Sequence, residues 1–114
     1  MRRTFILLIL ALLFSSPLEA AVLNIVAIGA SNTSGFGVGA QDAYPTRLQV
    51  LLRTKGILAK VTNAGIPGDT TVGMLRRLDS AVPKGTDIVI LQPGGNDLRF
   101  GFSKEQRAAK SRLW

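Results

Sequence analysis

A chain of 114 residues in which 46% are hydrophobic is long enough for one small globular domain and too short for two. Cysteine and histidine are both absent, which excludes disulfide staples, thiol chemistry, the usual His and Cys zinc centres and an in-chain histidine base. The formal net charge of +7 is spread over Arg47, Arg53, Lys55, Lys60, Arg76, Arg77, Lys84 and the C-terminal residues, with no stripe interleaved with aromatics, so a solvated basic surface is expected and nucleic acid is not an expected partner.

The first twenty residues have the make-up of a secretory signal peptide: Arg2 and Arg3, an apolar run from Phe5 to Phe14, a break at Ser15, Ser16 and Pro17, then small residues at Ala20 and Ala21. The run is shorter than the roughly 18 to 20 residues that cross a bilayer, so cleavage is expected in place of a stable membrane span. Cleavage near Ala20 leaves residues 21–114 as the working domain, exported to the periplasm or secreted. Arg2 and Arg3 are also a bare twin-arginine pair, a weak pointer to the other export route.

Leu23 to Gly29, rich in Val and Ile and closed by a glycine, is predicted to be a buried strand. From Tyr44 the apolar positions Tyr44, Leu48, Leu51 and Leu52 share one helical face, with Pro45 in the first turn and Gly56 as the stop. Ile57 to Thr62 is predicted as a second strand and Asn63 to Asp69 as a loop. A second helix follows from about Thr70, with Val72, Leu75, Leu78 and Val82 on its inner face. Asp87 to Leu91 is a third strand whose unbroken Ile-Val-Ile-Leu run predicts burial on both faces. Ser103 and Gln106 match a capping box, which starts a third helix running towards Trp114.

Strand alternating with helix predicts an α/β fold with an open parallel sheet, in which ligands gather outside the carboxyl ends of the strands. Three loops meet there: GASNTSG at Gly29 to Gly35, NAGIPGDTT at Asn63 to Thr71, and PGGND at Pro93 to Asp97. Acyl transfer needs a nucleophile, a base to take its proton, and preorganised donors for the oxyanion. Ser31 can supply the hydroxyl and a backbone N–H, Gly68 a backbone N–H on a chain with no side chain in the way, and Asn96 a side-chain amide. Each alone is more often a turn or capping residue, and it is their arrival after three successive strands that points to a site.

These segments resemble the first three sequence blocks of the SGNH (GDSL-type) serine ester hydrolases, in the bacterial thioesterase I, lysophospholipase and arylesterase group, over roughly Leu23 to Phe102. The resemblance implies a flavodoxin-like three-layer sandwich, of which this chain holds the N-terminal three-strand portion. It makes Ser31 the nucleophile and an oxyanion N–H, and Gly68 and Asn96 the other oxyanion donors. It implies no cofactor and no metal, and a small acyl ester or thioester as substrate.

Two departures stand out. Ala30 occupies the place where the family usually has Asp before the nucleophile. The family's final block, an Asp and a His three residues apart, is absent from the 114 residues, so the domain is expected to be incomplete and inactive alone. Asp69 and Asp97 are the nearest carboxylates, but a carboxylate is too weak a base for a serine hydroxyl and both suit capping or loop anchoring. The alternatives are a dead binder of acyl ligands, or one half of a hydrolase complemented by a separate C-terminal fragment. A nucleotide-binding module is disfavoured, because GFGVG at Gly35 to Gly39 lies past the strand and lacks phosphate-loop spacing.

Overall fold

The computed structural model describes residues 20–113, so all but the last residue of the predicted leader lies outside the described residues. Three parallel strands form one sheet in the order β2-β1-β3: β1 Leu23–Gly29, β2 Ala59–Gly65 and β3 Ile88–Leu91. The helices are α1 Ser31–Ser34, α2 Tyr44–Thr54, α3 Thr71–Arg76, α4 Leu78–Ala81 and α5 Lys104–Ser111, with a 3₁₀ turn at Asp97–Phe100. The α/β class and the parallel sheet are as the sequence predicts. Among the described residues no helix is long and apolar enough to cross a membrane.

β1 is central and buried on both faces, because alternate side chains of a strand point to opposite sides. Val26 and Ile28 meet Met74 of α3 on one face, with Ala64, Leu78, Ala81, Val82 and Leu91 packed around them. Ile25 and Ala27 on the other face are buried as well. α2 lies against β2, with Pro45 in its first turn and Gly56 just beyond its end, as predicted.

Four predicted details change. β2 runs from Ala59 to Gly65 and not from Ile57 to Thr62, because its in-register pairing with β1, from Leu23↔Ala59 to Gly29↔Gly65, carries it through Asn63, Ala64 and Gly65. Ile57 and Leu58, left ahead of it, are exposed. The second helix breaks at Arg77 into α3 and α4, and its buried positions are Thr71 and Met74 instead of Val72 and Leu75. On α2, Leu51 faces solvent at 52% exposure, while Leu48 and Leu52 are partly buried.

The fourth change concerns the burial of β3: its apolar run predicts cover on both faces, while its place in a three-strand portion predicts a bare apolar edge, and the edge is what is found. β3 flanks the sheet with Ile88 and Val89 exposed at 44% and 43%. The opposite edge is better covered. Gln49 Oε1 of α2 accepts the N–H of Val61 at 2.8 Å, and Arg53 Nε donates to the carbonyl of Ala59 at 3.0 Å, so outward-facing backbone groups of β2 are occupied by side chains.

Met74, 1% exposed, holds the α3 side of the core. Met74→Ala is expected to cost about 3 kcal/mol, from lost transfer energy and the cavity left behind. Thermal denaturation followed by circular dichroism should show the midpoint falling by roughly 15 °C.

Candidate active site

The parallel sheet places all three predicted loops at its carboxyl edge. β1 ends at Gly29, and the chain turns at once into α1, a single helical turn that the sequence reading took for loop. Ser31 is its first residue, so its N–H has no acceptor within the helix. Its carbonyl, by contrast, accepts from the N–H groups of Gly35 and Phe36, both at 3.1 Å, and from Ser34 Oγ at 3.0 Å, which fixes the backbone that carries the hydroxyl.

Two glycines paired across the strands make room for this turn. A Cβ on Gly29 would overlap Thr33 Oγ1, and one on Gly65 would run into the backbone of Thr33 and Ser34. α1 therefore sits directly on the ends of β1 and β2. Thr33, fully buried, then donates from Oγ1 to Gln92 Oε1 at 3.1 Å and ties α1 to the loop after β3.

Ser31 and Asn96 line the same crevice, a space of about 290 Å³ bounded also by Ala30, Asn32, Gln92, Pro93 and Gly95. Asn96 donates through Nδ2 to the carbonyl of Asp69 at 2.9 Å. An amide nitrogen carries two N–H bonds, so this contact orients the side chain and leaves the second for a ligand. Gly68 lies on the turn closed by the N–H of Asp69 on the carbonyl of Ile66, at 3.1 Å, with φ of 81°. It is exposed and beside the Asp69 contact of Asn96, but it does not line the crevice.

Both nearby carboxylates are engaged as anchors. Asp69 accepts the N–H of Thr70 at 2.8 Å and pairs with Arg77 Nε at 2.7 Å. Asp97, fully buried, accepts the N–H of Thr71 at 2.9 Å and so caps α3 from the third loop, while Thr70 caps it locally through Gly73 at 3.0 Å. Among the described residues no group of acidic side chains is placed to hold a metal ion.

Sequence reasoning missed Arg77. Its Nη2 also donates to the carbonyl of Gly29 at 3.2 Å, so one guanidinium joins the end of β1, just before Ser31, to Asp69, just after Gly68. The pair is largely buried, with side-chain exposures of 19% and 12%. Arg77→Ala is expected to cost about 3 kcal/mol, because it strands the Asp69 carboxylate. Arg77→Lys should restore only part of this, since an ammonium cannot span both acceptors as the planar fork does. Urea denaturation of the three proteins checks both statements.

The comparisons with known proteins agree on the family and the fold. The sequence model of the GDSL-like lipase/acylhydrolase family matches residues 27–113. The esterase TesA of Pseudomonas aeruginosa is 30% identical over 89 residues, which cover 77% of this chain and 44% of that protein. Among solved structures, AlinE4, an SGNH-hydrolase family esterase, superposes with a TM-score of 0.71 at 34% identity, over 80% of this chain and 50% of its own. A crystal structure of TesA gives 0.70 at 28% identity, over 77% and 49%. This chain thus spans about half the length of the relatives it matches. The family match takes in the three loops, the end of β1 and all of β2 and β3, and the chain belongs to the GDSL-like lipase/acylhydrolase family.

Proposed function

We propose that this chain is the nucleophile-bearing part of an exported serine hydrolase acting on carboxylic esters or thioesters of small acyl substrates. In this reading residues 1–20 are a cleaved leader and residues 21–114 the hydrolase domain. Ser31 attacks the acyl carbon, and the oxyanion is met by the N–H of Ser31, the N–H of Gly68 and Asn96 Nδ2. The observation that carries it is that Ser31 and Asn96, from the loops after β1 and β3, line one crevice.

The 114 residues contain no histidine, and Asp69 and Asp97 are tied to Arg77 and Thr71, so the base has to come from other residues. A complementing segment carrying the Asp and His block is a second reading. It is favoured by the open edge of β3 and the apolar groove beside it, lined by Leu78, Val82, Val89 and Leu91. The test is a chimera that joins residues 1–113 to the C-terminal half of the P. aeruginosa esterase. It should hydrolyse a nitrophenyl acyl ester and lose that activity on Ser31→Ala. A folded chimera whose turnover is unchanged by Ser31→Ala would sink the assignment.

A further inference from the structure

The turn that carries Gly68 is not held by packing. Ile66, Pro67 and Gly68 are exposed, and nothing lies within 4 Å of the place a Cβ on Gly68 would take. What holds the turn is a closed ring of hydrogen bonds. The carbonyl of Gly29 accepts from the N–H of Ile66 at 3.1 Å, and the carbonyl of Ile66 accepts from the N–H of Asp69 at 3.1 Å. The Asp69 carboxylate then accepts from Arg77 Nε at 2.7 Å, and Arg77 Nη2 returns to the carbonyl of Gly29 at 3.2 Å. Asn96 hangs on the same ring, since its Nδ2 donates to the carbonyl of Asp69 at 2.9 Å.

α3 is shaped to close this ring. Gly73 stands one helical turn before Arg77, and a Cβ there would overlap Asp69 Oδ1. Glycine weakens a helix, and here it leaves room for the carboxylate that Arg77 binds. The Arg77 side chain is 19% exposed, so its charge-assisted bond to Asp69 lies largely out of water, where such a bond is strong. Arg77 does not line the crevice, and it reaches the site only through Gly29 and Asp69.

We propose that Arg77 is a positioning residue for ester hydrolysis, which sets the Gly68 N–H and Asn96 Nδ2 in place relative to Ser31. The role rests on the assignment of Ser31, Gly68 and Asn96 proposed above. Oxyanion donors act by being in place before the charge develops, so freeing the turn that carries one of them weakens the transition state more than substrate binding.

In the chimera, Arg77→Ala should lower kcat by about 100-fold and change KM by less than about threefold. Met74→Ala, on the same helix and with the same expected loss of stability, should stay within about threefold of the parent in both. Arg77→Lys, which can satisfy only one of the two acceptors, should lose about tenfold in kcat, and it is the deciding variant where Arg77→Ala does not fold. A second readout needs no turnover. In the 114-residue chain the NMR signals of the Gly68 N–H and the Asn96 side-chain amide should shift and exchange faster in Arg77→Ala, and stay in place in Met74→Ala. An equal kcat loss in Met74→Ala, a loss confined to KM, or unmoved Gly68 and Asn96 signals overturn the proposal. A chimera indifferent to Ser31→Ala sinks the hydrolase reading instead, and the NMR signals then decide on Arg77 alone.

Discussion

Turnover of a short-chain nitrophenyl ester by this chain alone is expected to lie about a millionfold below that of the chimera with an Asp and His segment, since removing the histidine from a serine triad costs on this order. The reason is local. Ser31 lines a crevice together with Asn96, but no imidazole exists in the sequence. Asp69 spends its oxygens on Thr70 and Arg77, and Asp97 is buried against Thr71. Ser31→Ala in the isolated chain is therefore expected to change the residual rate less than about twofold, whereas in the chimera it should remove nearly the whole gain. A rate in the isolated chain that collapses on Ser31→Ala would point to a base other than histidine.

Gly65→Ala is the substitution expected to damage the fold most, by more than about 4 kcal/mol, the range reserved for a steric conflict that cannot relax. The added Cβ meets the backbone of Ser34 and Thr33, not the end of a flexible side chain. Relief would require lifting α1 off the sheet, which breaks the Thr33 to Gln92 contact and moves Ser31, or parting β2 from β1 at the Gly29↔Gly65 pair. Gly37→Ala is the control. Its φ of 87° strains alanine, but nothing lies within 4 Å of the new atom, so about 1–2 kcal/mol is expected. Denaturant melts of both variants separate collision from backbone strain, and a Gly65→Ala protein as stable as Gly37→Ala would mean that α1 yields easily.

Features written into a few adjacent residues were legible in the sequence. The run Leu23 to Gly29 gave β1 with its bounds, and Ser103 with Gln106 gave the cap of α5, with both reciprocal bonds formed. Tyr44 and Gly56 likewise bracketed α2. Features set by partners far along the chain were not. The bounds of β2 follow from its register on β1, and apolar periodicity could not see that Asn63 to Gly65 continue the ladder. The break at Arg77 belongs to a side chain that reaches Asp69 and Gly29, at separations of 8 and 48 residues. Thr33 reads as one more polar loop residue until Gln92, 59 residues on, turns out to be its acceptor. Of the candidate site, Ser31 and Asn96 come together in the crevice as the loop order implies, while Gly68 stands beside it on its turn.

The unequal flanks of the sheet also set how many neighbours it can recruit. With Gln49 on the N–H of Val61 and Arg53 on the carbonyl of Ala59, a strand added from outside would have to displace side chains at the start of β2, whereas among the described residues no side chain is bonded to the outer edge of β3. Two chains that met at β3 would each cover the other's more open flank. Continuous fibres need a sticky margin at each end of the repeating unit, and the side chains of Gln49 and Arg53 blunt one of the two here.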